Sequence, residues 1–103
     1  MARGYWIARV DVNDAEAYKK YLQANAEPFA KFGARFLVRG GAFETVEGST
    51  RARNVVLEFP SYKAALACYR SPEYQRAMTF RRDAAESDVV IIEGYEGAQP
   101  GDA

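Results

Sequence analysis

Four charged residues stand at positions that extended segments bring to one surface: Arg9, Arg39, Glu58 and Glu93. A guanidinium fork matches a carboxylate in two-point geometry, best where water is partly excluded. Such a set either fixes the register of a dimer through ion pairs or borders a polar pocket for a small anionic or carbonyl compound. A carboxylate whose pKa is raised there can act as a base, so Glu58 and Glu93 are the candidate catalytic residues. A second cluster is Tyr69, Arg70, Ser71 and Tyr74. Ser71-Pro72-Glu73 is a helix start, and a helix start offers free backbone N–H groups to an anion. Its plainer reading is a capping serine beside two core-edge tyrosines with wet hydroxyls. The candidate ligand-binding residues are therefore Arg39, Tyr69, Ser71, Arg9 and Tyr74.

Much chemistry is excluded. The chain has no histidine, which removes a histidine-ligated haem, Ser-His and Cys-His dyads and the usual zinc sites. No metal site and no cofactor is expected. Gly40-Gly41 lacks the spacing of a phosphate-binding loop and reads as a β-bulge. The single cysteine, Cys68, precludes an intrachain disulfide and reads as an inert buried thiol in a reducing compartment. Trp6 reads as core, and Asn54 as a residue with a turn-side hydrogen bond.

These residues must be positioned by a short series of elements. Tyr5 to Val12 is rich in aromatic and β-branched types and reads as a strand. Asn13 or Asp14 caps a helix whose apolar face is Ala15, Tyr18, Leu22, Ala26 and Phe29. Pro28 should kink that helix, and Gly33 should end it. A second strand runs Arg35 to Arg39, is interrupted by a bulge at Gly40-Gly41, and resumes from Phe43 to Val46. A third runs Asn54 to Phe59 and stops at Pro60. Ser61 caps a second helix, which breaks at Ser71-Pro72 and continues to about Glu86. Val89 to Glu93 is the last strand.

The order is β-α-β-β-α-β. Right-handed crossovers convert it into an α+β ferredoxin-like fold: a four-stranded antiparallel sheet with two helices on one face. Period-two alternation places Trp6, Ala8, Val10, Phe36, Val38, Val55, Leu57, Phe59, Val90 and Ile92 toward the helices. The other parity holds Tyr5, Ile7, Arg9, Asp11, Leu37, Arg39, Val56, Glu58, Val89, Ile91 and Glu93. A helix-free face so rich in aliphatic residues calls for a cover, and a second copy of the chain is the simplest one. A homodimer through that face is expected.

With 103 residues the chain is one domain, residues 1–96, followed by a flexible tail, residues 97–103. Fourteen basic residues balance fourteen acidic ones. Zero net charge gives no electrostatic footprint for nucleic acid or an anionic membrane, and Arg51, Arg53, Arg81 and Arg82 read as solvated surface charge. No leader and no long apolar run is present, so the expected location is cytoplasmic.

Gly4-Tyr5-Trp6-Ile7, Arg39-Gly40-Gly41, Glu47-Gly48, Glu58-Phe59-Pro60-Ser61, Tyr69 with Ser71-Pro72-Glu73-Tyr74, and Glu93-Gly94 together resemble the bacterial family known as domain of unknown function 1330. The resemblance runs from about Gly4 to Tyr95 and implies membership of the dimeric α+β barrel superfamily, in which two ferredoxin-like subunits pack sheet to sheet. That superfamily includes cofactor-independent monooxygenases, muconolactone isomerases and haem proteins, so the fold implies no single activity. Where the family pattern often flanks the tyrosine with an aromatic residue and a histidine, this chain has Cys68 and Arg70. Three functions follow: binding of a small anionic or carbonyl-containing molecule between sheet and helices, cofactor-independent isomerase or monooxygenase chemistry on a carboxylate base, and a structural module without ligand. The first two need a cavity of roughly 300 Å³ or more; the third needs a filled interior.

Overall fold

The computed structural model describes residues 2–102, so that Met1 of the expected domain and Ala103 of the expected tail lie outside the described residues. The elements are β1 (Gly4–Val12), α1 (Ala15–Ala24), α2 (Ala26–Lys31), β2 (Arg35–Arg39), β3 (Arg53–Phe59), α3 (Tyr62–Arg70), α4 (Pro72–Arg82) and β4 (Ala85–Glu93). The strands form one antiparallel sheet in the order β2-β3-β1-β4. Each expected helix is a broken pair, and both pairs cover the same face. The fold is the ferredoxin-like βαββαβ.

Local chemistry sets the helix limits. The Asp14 carboxylate accepts from Ala17 N at 3.2 Å, and the Ser61 hydroxyl accepts from Ala64 N at 3.0 Å; each starts a helix. Pro28 cannot donate to the Ala24 carbonyl, and its ring crowds that carbonyl. The helix accordingly breaks at Asn25, one turn before the proline, rather than kinking at it. Ser71 serves both halves of the second pair: its hydroxyl donates to Cys68 O at 2.7 Å and accepts from Tyr74 N at 3.2 Å.

Helix α4 ends at Arg82, and β4 begins at Ala85, four residues earlier than the sequence pattern suggests. Glu86, Ser87 and Asp88 have little strand propensity, but β1 is long enough to pair with all of them, and tertiary pairing decides. The register also corrects the alternation in β4. Ile91 pairs with Trp6 and Val89 with Ala8, so these face the helices, whereas Val90 and Ile92 lie on the open face beside Ile7 and Tyr5.

A bulge corrects β2. Phe36 pairs with Leu57 but Val38 pairs with Val56, so Leu37 is the extra residue, not Gly40. A one-residue slip exchanges faces. Val38 therefore turns to the open face, and Arg39, opposite Val55, turns to the helix side. The open face carries an apolar row, Val38–Val56–Ile7–Val90, across all four strands.

Residues 40–52 form an exposed loop, and the expected continuation of the strand from Phe43 to Val46 is absent. The loop returns across the open face and is clasped there by Arg51. That guanidinium donates to Asp88 at 2.8 Å, Asp11 at 2.9 Å and Glu86 at 3.2 Å, while Ala52 N donates to Asp11 at 2.9 Å. Arg51 is thus a structural clamp rather than a solvated charge.

The Ala52 N–H, reinforced by Arg51, holds the Asp11 carboxyl below its ordinary value of 3.8. Because the folded-state pKa is the lower one, this contribution to stability is present above pH 3.8 and is lost as pH falls through the depressed folded value. Urea unfolding midpoints at pH 6 and pH 3 should differ less in Asp11→Asn than in the unaltered protein. An equal acid loss in both would exclude Asp11 as a source.

Candidate functional site

A cavity of about 40 Å³ lies between the sheet and the helices. Its floor is apolar, with Trp6, Val10, Leu22 and Phe29, and its polar groups come from opposite sides. Helix α1 and the break after it present Tyr18, Tyr21 and Asn25, α4 presents Tyr74 and Arg81, and the sheet presents Arg39 and Arg53. The volume falls short of the roughly 300 Å³ expected for the binding and catalytic readings. At about 10–15 Å³ per water position it holds about three waters, so it accepts a small molecule or the head of a larger one.

Arg81 is the most constrained group. It is 8% exposed, yet among the described residues no carboxylate pairs with it. Its Nη2 donates to the Tyr74 hydroxyl at a long 3.4 Å, its Cζ lies 5.3 Å from the Tyr21 ring centroid, and its Nε has no partner. A buried charge without a counter-charge is costly, and a ring face offsets only part of that cost. The two tyrosines share a hydrogen bond of 2.7 Å between their hydroxyls. Burial pushes the Tyr74 phenol well above its ordinary value, and burial also raises Tyr18. The Tyr74 and Tyr18 hydroxyls therefore stay protonated near neutral pH and act as hydrogen-bond donors and acceptors, not as anionic bases.

The other two arginines arrive from the sheet. The Leu37 bulge aims Arg39 to the helix side, where its Cζ sits 4.1 Å from the Phe36 ring centroid. Arg53, the first residue of β3, lies over Tyr18 with its Cζ 5.9 Å from the ring centroid, and its Nε is also buried without a partner. Gly40 has φ +68, and a side chain there would start 2.6 Å from Arg53 Nη1. Glycine thus supplies the left-handed turn and leaves room for the guanidinium. Neither Arg39 nor Arg53 pairs with an acid among the described residues. No acid lines the cavity, which carries three cations and no anion.

Of the residues marked by sequence, Arg39 and Tyr74 line this cavity. The remainder are elsewhere. Tyr69 packs edge-on against Trp6 and donates to Met78 Sδ at 3.5 Å, and Ser71 spends its hydroxyl on the two helix ends. Arg9 sits on the open face between Asn54 and Asp88. Glu58 accepts from Tyr5 Oη at 3.1 Å and lies 3.9 Å from Arg3 Nε. Glu93, at the end of β4, is exposed. Neither glutamate faces the cavity, and the four charges do not share one surface, since Arg39 and, by the β4 register, Glu93 lie on the helix side. Cys68 is fully buried, with its thiol pushed up to about 12 by burial.

Tyr18, Tyr21, Asn25, Arg53 and Arg81 were not marked by sequence. A signal existed for four of them. Tyr18, Tyr21 and Asn25 recur at three and four residues on α1, and Tyr74, Ala77 and Arg81 do so on α4, which puts Arg81 on the buried stripe. The charge of Arg81 suggests solvent, whereas its period places it inside.

Residues 3–95 match the model of the family described as domain of unknown function DUF1330. The chain belongs to the DUF1330 family. Among curated proteins none matches it. Solved structures similar to this DUF1330 chain include RPA0582, a protein of unknown function from Rhodopseudomonas palustris, with TM-score 0.74 and 20% identity over 93% of this chain and 85% of that one. SnoaB, a cofactor-independent oxygenase from Streptomyces nogalater, aligns with TM-score 0.65 and 12% identity over 94% and 97%. A dimeric ferredoxin-like protein of unknown function from Thermobifida fusca aligns with TM-score 0.57 and 16% identity over 89% of each chain. Identities this low carry the fold alone, which is the ferredoxin-like one. Among the described residues of this DUF1330 chain, no helix is long and apolar enough to cross a membrane, and no group of three or more His, Cys, Asp or Glu could hold a metal ion.

Proposed function

We propose that the protein binds a small organic anion in the cavity between sheet and helices. The observation that carries this reading is Arg81, more than nine-tenths buried, facing a cavity that contains no carboxylate. A ligand carboxylate or enolate supplies the missing acceptor, and the Tyr21–Tyr74 hydroxyl pair and the Asn25 amide stand ready to orient it. A filled structural module is disfavoured by two buried donors left without partners in one cavity. The isomerase or monooxygenase reading, with Glu58 or Glu93 as base, draws support from the likeness to SnoaB, but it lacks a carboxylate in this cavity. Binding is the better supported of the two.

Charge-assisted hydrogen bonds contribute about 1.5–3 kcal/mol each, or roughly 10- to 150-fold in affinity. Isothermal titration with short carboxylates should therefore show saturable binding that weakens at least tenfold in Arg81→Gln and recovers in part in Arg81→Lys. Equal binding by all three proteins, or none by the unaltered protein, would overturn the proposal.

The same reading includes a homodimer through the open sheet face. Its support is the bare row Val38–Val56–Ile7–Val90, of which Val90 is 54% exposed, and the dimeric state of the Thermobifida fusca neighbour. Val90→Arg adds a charge where the fold leaves space. Sedimentation should find a dimer for the unaltered protein and a folded monomer for this variant; a dimer in both would exclude this face.

A further inference from the structure

We infer that the ligand of this site carries two anionic groups, in the class of short dicarboxylates. The inference rests on the anion-binding reading above and adds the number of charges and the size. Two observations set the number. The first is that the orphaned donors lie on different elements: Arg81 Nε in the last turn of α4 and Arg53 Nε at the start of β3. Each guanidinium lies over a different ring of a tyrosine pair, Arg53 over Tyr18 and Arg81 over Tyr21, and those ring centroids are 5.5 Å apart. They are two seats rather than one shared fork. The second is the charge count. Arg39, Arg53 and Arg81 line the cavity with no carboxylate beside them, so a monoanion leaves two cations uncompensated, whereas a dianion leaves only Arg39, the most exposed of the three.

Size follows from the cavity. Room for about three waters, at ~30 Å³ of liquid volume each, corresponds to about 90 Å³ of ligand. That encloses a diacid of two or three carbons; a longer one must extend past Arg39. The short apolar wall of Val10 and Val55 suits the carbon between two carboxylates, and the planar forks of the two arginines suit carboxylate oxygens.

Malonate and propionate share a three-carbon skeleton and differ by one carboxylate, so titration calorimetry at constant ionic strength isolates the second charge. Malonate is expected to bind at least tenfold more tightly than propionate. Arg53→Gln should abolish that preference and leave propionate affinity nearly unchanged, with Arg53→Lys intermediate and circular dichroism confirming the fold of each. If propionate binds as tightly as malonate, the two-charge inference is wrong and the anion site stands. If malonate, propionate and inorganic phosphate all fail to bind, the site itself is wrong. The malonate-to-propionate ratio of the unaltered protein decides the matter even where a variant does not fold.

Discussion

Trp6 joins the sheet to three of the four helical segments, and the site hangs from it. Its indole N–H donates to the Ala65 carbonyl of α3 at 2.9 Å. Its ring meets Phe29 of α2 at 5.3 Å, Tyr69 of α3 at 5.7 Å and Tyr74 of α4 at 4.9 Å, all three edge-on. Removing such a side chain costs about 3–5 kcal/mol, a large part of the roughly 5–15 kcal/mol that holds a domain together. The packing also has a chemical consequence. It fixes the Tyr74 ring, which fixes its hydroxyl against Tyr21, and that pair sets the wall on which Arg81 lies. A cavity edged by protonated phenols and a guanidinium is thus an extension of the aromatic core.

Charge is segregated across the sheet although the chain is neutral as a whole. On the open face, Arg51 gathers Asp11, Glu86 and Asp88. On the helix face, three arginines line the cavity without an acid. Salt bridges exposed to solvent contribute little stability, but the open-face cluster closes the long loop that follows Arg39 and so constrains the strand ends carrying Arg39 and Arg53. The uncompensated cations, by contrast, lower stability, since two of their buried Nε donors lack partners. Natural domains retain such buried, unpaired donors where binding requires them.

The architecture was legible because it rests on repeated signals: alternation in β1 and β3, capping at Asp14 and Ser61, and the Ser71-Pro72 restart. What escaped were single-residue events with no compositional mark. The bulge at Leu37 reversed the faces of Val38 and Arg39, and pairing with a long β1 drew Glu86-Ser87-Asp88 into a strand. Both depend on partners distant in sequence. The candidate site was only partly legible, for a related reason. Arg39 and Tyr74 were marked for their chemistry, though Arg39 was assigned to the wrong face. An arginine such as Arg81 in a charge-balanced sequence suggests solvent, whereas its spacing from Tyr74 and Ala77 places it inside. Where periodicity and residue character disagree, a functional group is often the cause.

The most direct measurement is the side-chain Nε–H signal of Arg81 in proton–nitrogen correlation spectra during a titration with malonate. Arg51 provides an internal reference, since its Nε already donates to Asp88 at 2.8 Å. The expected result is a saturable shift of the Arg81 signal with slower solvent exchange, while the Arg51 signal stays in place. A stationary Arg81 signal at saturating anion, or shifts confined to Arg51 and the exposed arginines, would contradict an anion seat inside the fold.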